Sequence, residues 1–178
     1  MLLFRIVKYN KNLFDSKSEI PEKEKIINNL VKFMNKKFCG KEDFLLDYNI
    51  KIWVFLLKVK NKEILDNKIE KLIENCNEIL LFDCGINSKG INENNYQRIV
   101  NILSLLSSII ENYKEKAIKC KNIVQCVIDI CKEKTDLLRK NAAILLAKIA
   151  KSNKEMEEYV RNLHGMEVLV SISGFVKI

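Results

Sequence analysis

A chain of 178 residues, 48% hydrophobic and 30% charged, is not a wholly disordered polymer, and it can fold as one well-buried domain or about four helical repeats. With 5 Gly and a single Pro it lacks the turn punctuation of an all-β design, so long helices are expected. The net charge of +8 would suit a phosphate partner, but only Arg5, Arg98, Arg139 and Arg161 carry the guanidinium that grips phosphate with two prongs, so a solvated lysine surface is the simpler reading.

Residues 1–19 mix a short apolar patch with Lys, Asn and Ser, and a ragged helix or an extended arm would both fit them. Arg5 and Lys8 interrupt this patch before a signal-peptide core can form. The longest apolar run, 52–57, is far short of the roughly 20 residues of a membrane span, and neither end carries a lipidation signal. A cytoplasmic or nuclear location is expected.

Pro21 suits a first helical turn, with Glu22 and Glu24 at the positive end of the helix dipole. Ile26, Ile27, Leu30, Val31, Met34 and Phe38 then form one apolar stripe, ended by Gly40. A second helix is expected over 42–60, apolar on nearly every side at its centre, with Trp53 in the core. Its β-branched residues would also suit a buried strand, and length and helical neighbours decide for a helix. Leu65, Ile69, Leu72, Ile73, Cys76, Ile79 and Leu80 mark a clear amphipathic helix.

Residues 83–95 read as a loop. Gly85 and Gly90 are spaced like the glycines of a phosphate loop, but Ile91 stands where that motif needs Lys, so nucleotide binding is not expected. Ile99, Ile102, Leu103, Leu106, Ile109 and Ile110 resume the helical pattern, followed by short helices near 113–120 and 123–131.

The segment 135–172 is the most legible. Thr135 is a plausible N-cap for a helix bearing Leu137, Leu138, Asn141, Ala142, Leu145, Leu146 and Ile149, with Ala143, Ala147 and Ala150 admitting close neighbours. Ser152 and Glu155 fit a capping box for a second helix that turns Met156, Tyr159, Val160 and Leu163 inward and ends near Gly165; a third starts at Val168. Laying Asn101-Ile102-Leu103 on Asn141-Ala142-Ala143 brings Leu105-Leu106 onto Leu145-Leu146 and Ile109 onto Ile149, an offset of forty residues. With two residues inserted, Cys126-Val127-Ile128-Asp129-Ile130 falls on Val168-Leu169-Val170-Ser171-Ile172, as in a repeat of about 42 residues.

The stretches Asn141-Ala142-Ala143-Ile144-Leu145-Leu146-Ala147-Lys148-Ile149-Ala150 and Leu163-His164-Gly165-Met166-Glu167-Val168-Leu169-Val170 resemble the junction between two armadillo repeats, and the resemblance is clearest over 96–172. It implies an all-α, right-handed α-solenoid. The expected organisation is an arm at 1–20, a cap and a degenerate repeat at 21–82, the loop at 83–95, and armadillo-like repeats at 96–178 with the last incomplete.

The resemblance also implies a non-enzymatic scaffold, because in armadillo proteins the last helix of each repeat lines a concave groove for extended peptides. Readers of nuclear-import signals present Trp there and Asn four residues later; here Ile144 with Lys148, and Ser104 with Ser108, stand at those positions, so that specificity is not expected. What these faces present is Arg98, Asn101, Ser104, Ser108, Lys140, Ile144, Lys148 and Lys151, a mildly basic strip suited to an acidic or phosphorylated segment of another protein. A merely solvated helix face is the bland alternative. Two other readings stand beside the scaffold: a basic helical-repeat protein that binds RNA or DNA, and an armadillo-type co-chaperone or assembly factor.

Catalysis finds no constellation of nucleophile, base and orienting group, so no catalytic, cofactor or metal residue is expected. Six cysteines, at 39, 76, 84, 120, 126 and 131, lack the close pairs of a zinc site and are expected as reduced thiols, with 76, 126 and 131 at apolar helical positions. His164, the single histidine, reads as a turn residue. Beyond it Met166, Val168, Leu169, Val170, Ile172, Phe175 and Val176 have no following helix to cover them, which suggests a fragment of a longer array or self-association through the C-terminal helix.

Overall fold

The structure, a computed structural model, describes residues 28–29, 49–54, 57, 62–84, 91 and 93–174, and among these it is helical with no strand. The arm at 1–20, nearly all of the helix expected at 21–38, Cys39, Gly85, Gly90, Phe175 and Val176 lie outside the described residues. Of the helix expected over 42–60, residues 49–54 and 57 are described and helical, with Ile50, Ile52, Trp53 and Leu57 buried.

The helices that follow are α1 (Lys62–Cys84), α2 (Glu93–Asn112), a 3₁₀ helix (Lys114–Ile123), α3 (Val124–Ile130), α4 (Asp136–Ala150), α5 (Lys154–Asn162) and α6 (Gly165–Ser173). α1 runs on through Asp83 and Cys84 and α2 opens at Glu93, so both ends of the expected loop 83–95 are helical.

The most extensive contact is α2 against α4, while α1 packs on the 3₁₀ helix and α2, and α3, α5 and α6 all reach α4. Leu103, Leu106, Leu145, Leu146 and Ile149 are fully buried. Each such side chain contributes about 1.5–3 kcal/mol by leaving water. Ala142 is also fully buried. Its small side chain fits where two helices must approach closely.

Where an ordinary short helix was expected near 113–120, the chain is a 3₁₀ helix ten residues long. The reason lies in which residues it buries: Ala117, Cys120 and Ile123 recur every third residue, the period at which 3₁₀ side chains eclipse. α1 reinforces this tighter coil. Asn77 Nδ2 donates to the Lys119 carbonyl at 2.7 Å and to Asn122 Oδ1 at 3.1 Å, and Glu70 accepts from Lys116 at 2.7 Å and pairs with Lys119 at 3.2 Å.

Several local expectations need correcting. Thr135 does precede α4, but its side chain makes no capping hydrogen bond. The cap of α5 is Asn153 rather than Ser152: its side chain accepts from the Met156 N–H at 2.9 Å, while Ser152 Oγ donates back to the Ile149 carbonyl at 2.6 Å. Asn153 is extended, the conformation an N-cap needs, whereas Ser152 still belongs to the turn closing α4. Met156 and Val160 point into the core as expected. Leu137 does not join the apolar face of α4 and is 46% exposed, and Val170 is 70% exposed.

The turn between α5 and α6 is made by His164, in the left-handed region at φ 58°, and α6 begins at once with Gly165, three residues ahead of the expected start at Val168. A Cβ on Gly165 would lie 2.7 Å from Val160 Cγ1 and 3.1 Å from both the Val160 carbonyl oxygen and Ile128 Cδ1, so this glycine allows α6 to start directly against α5 and α3. Neighbouring substitutions should therefore act in opposite directions. Gly165→Ala should destabilise by about 1–3 kcal/mol through overpacking, whereas His164→Gly should stabilise by up to about 1 kcal/mol by relieving the left-handed residue, both read from urea unfolding followed by circular dichroism.

Candidate functional site

The outer face of α4 is set by its own periodicity. With Leu138, Ala142, Leu145, Leu146 and Ile149 turned into the core, the positions Leu137, Lys140, Ile144, Lys148 and Lys151, spaced by three and four, form one row on the opposite side. Lys140 and Lys151 are exposed and Ile144 is 40% exposed, so charge and apolar surface alternate along the row. On α2 the residues Gln97, Asn101, Ser104, Ser108 and Glu111, also spaced by three and four, form a second row.

Lys148 joins the two rows. Its Nζ donates to Glu111 Oε2 at 2.7 Å and to the Ser107 carbonyl at 3.2 Å, so this lysine clamps α4 to α2. The hydrogen bond from Lys148 and then its charge hold the Glu111 carboxyl below the usual range.

Three side chains of α2 donate within their own helix. Ser108 Oγ donates to the Ser104 carbonyl at 3.0 Å, Asn112 Nδ2 to the Ser108 carbonyl at 2.7 Å, and Gln97 Nε2 to Asn101 Oδ1 at 3.1 Å.

Arg98 lies in a different environment. Its Nε donates to Asp83 Oδ2 at 2.7 Å and its Nη2 to Asp83 Oδ1 at 2.6 Å, with the two side chains only 12% and 3% exposed. Asp83 stands at the negative end of the α1 dipole, where a carboxylate is disfavoured unless a cation meets it. Asn95 Nδ2 also donates to the Asp83 carbonyl at 3.1 Å, which ties the start of α2 to the end of α1.

Of the eight residues proposed from sequence, Lys140, Ile144 and Lys151 thus form an outward row with Lys148 at its inner edge, Asn101, Ser104 and Ser108 lie on the neighbouring helix, and Arg98 is drawn into a fork-shaped ion pair. Sequence reasoning missed Leu137, whose exposure adds a second apolar contact one heptad before Ile144, and missed Glu111 as the partner of Lys148. The offset of forty gave no signal for this pair, since Lys148 and Glu111 lie 37 residues apart.

His164 is exposed in its turn, with Nδ1 3.7 Å from a Glu167 carboxylate oxygen. Among the described residues no three His, Cys, Asp or Glu side chains gather as a metal site would require, and no helix is long and apolar enough to cross a membrane. Comparison with protein-family models, curated proteins and solved structures finds no match to the chain.

Two outcomes test this geometry. Arg98→Ala should cost about 3–5 kcal/mol in urea unfolding by leaving the Asp83 carboxylate buried and alone, and Asp83→Leu combined with Arg98→Leu should cost less than the single change. In a carboxyl NMR titration Glu111 should ionise below 4.5, and Lys148→Met should bring it back toward that value. Because the folded value is the lower one, the stabilisation from this pair is complete above the unfolded value and is lost as the pH falls through the folded value.

Proposed function

We propose that the protein is a non-enzymatic protein–protein interaction scaffold, a right-handed α-solenoid of armadillo type whose α4 row receives an acidic, apolar-bearing segment of another protein. The observation that carries this reading is how corresponding elements meet. α2 packs on α4 and the 3₁₀ helix touches α5, forty residues apart in sequence, and Ile128 of α3 abuts the start of α6 at Gly165. Two successive units of long helix, short helix and short helix stacked in this way would leave the outer sides of α2 and α4 as neighbouring strips of one surface.

Leu137 and Ile144 offer apolar contact while Lys140 and Lys151 offer charge. A partner segment with carboxylates flanking one or two large apolar residues would match both. Lys148 contributes at the edge, because it already holds Glu111. The net charge of +8 favours a second reading, an RNA- or DNA-binding surface, through counterion release.

The two separate in one titration series. A fluorescein-labelled peptide of alternating Glu and Leu should bind the wild-type chain, and Lys140→Glu with Lys151→Glu should weaken it at least about tenfold while leaving the circular dichroism unchanged. Equal affinity for wild type and variant would remove the α4 row as the site. Preferential binding of a single- or double-stranded oligonucleotide, falling steeply from about 50 to 200 mM salt, would favour the nucleic-acid reading instead.

A further inference from the structure

The side of α2 that α4 covers has a counterpart on α4 that stays open. The offset of forty residues carries Ser104 onto Ile144, Ser107 onto Ala147 and Glu111 onto Lys151. On α2 that side is occupied, because α4 packs there and Lys148 reaches the Ser107 carbonyl and Glu111. On α4 the same positions look outward: Ile144 is 40% exposed, Ala147 is half-buried and Lys151 is exposed.

α6 repeats the contrast. With two more residues of offset, Val127, Ile128 and Ile130 of α3 fall on Leu169, Val170 and Ile172. α3 packs against α4 and buries all three, whereas on α6 Leu169 and Ile172 are half-buried and Val170 is 70% exposed. α6 itself packs on α4, so the two open surfaces belong to neighbouring helices.

We propose that these surfaces together dock one amphipathic helix of another protein, laid on α4 as α4 is laid on α2 and carrying a carboxylate opposite Lys151. Such a helix continues an interface the chain already makes with itself, since helix covers the corresponding sides of α2 and α3. Charge decides the occupant. Between α2 and α4 a lysine meets Glu111; with Lys151 standing in the place of Glu111, the incoming side chain must be acidic. Lys140 is exposed on the same row, about 16 Å away along α4, so three turns of the partner helix carry a carboxylate for each lysine. Small or apolar residues between those carboxylates meet Ile144 and Ala147. A second copy of this chain presenting the same face would set lysines against lysines, which excludes it as the occupant.

This rests on the α4 row being a protein-binding surface and adds two things: the partner segment is helical, and α6 shares in holding it.

The full chain is titrated with a fluorescein-labelled peptide of about 20 residues built from Ala, Leu and Glu, with Ala and Leu on one helical face and Glu flanking it. It should bind at least about tenfold tighter than the same peptide broken by a central Pro, and its helical circular dichroism should rise on binding. Val170→Asp should weaken binding about tenfold with the fold intact by circular dichroism, because Val170 is exposed. Lys151→Glu should weaken it likewise, and a peptide with Lys in place of Glu should recover the lost affinity. Equal binding of the Pro-broken peptide, or no effect of Val170→Asp, would overturn the proposal while leaving the α4 row as a surface for the alternating Glu and Leu peptide. Failure of every peptide to bind would remove the row itself. Self-association of the chain in light scattering, abolished by Val170→Asp, would put a second copy on this face and overturn the proposal too.

Discussion

The apolar seam between α2 and α4 is the contact on which the rest of the described architecture depends. Leu103, Leu106, Leu145, Leu146 and Ile149 are removed from water there, and Ala142 lets the helices come close. Once the seam has formed, the outward side of α4 follows without further choice, because a helix that buries one stripe must show another. The clamp from Lys148 to Glu111 and the Ser107 carbonyl adds direction to a contact that hydrophobic burial alone would leave free to slide.

A second set of interactions is polar and joins the earlier helix to the later ones. Asp83 and Arg98 form a fork at the junction of α1 and α2, and Asn77 and Glu70 hold the 3₁₀ helix to α1. These are directional contacts, and a buried polar pair fixes register more sharply than apolar surface can. The two kinds of contact divide the work: burial supplies most of the stability, and the polar fastenings select one alignment among several of similar burial.

Much of the helical order was legible because apolar residues recur at three-and-four spacing in α1, α2 and α4, and that periodicity reports burial directly. Its failures have local causes. The 3₁₀ helix went unseen because Ala117, Cys120 and Ile123 every third residue also satisfy half of an α-helical pattern. The cap of α5 was placed one residue early because Ser152 and Asn153 are both good caps, and only the backbone turn closing α4 chooses between them. For the candidate site, spacing located the outward row of α4 but could not reveal that Arg98 would meet Asp83, since such a meeting depends on how separate helices dock.

The 3₁₀ helix has a consequence for which changes of length the chain can tolerate. With three residues to a turn, one residue added or removed within it rotates everything beyond by about 120°, more than the roughly 100° of an α-helix and enough to swing α3 away from α4. Length variants of this protein that retain the fold should therefore gain or lose residues there in threes, while the surface turn at residues 131–134, whose side chains other than Cys131 are exposed, accepts single insertions.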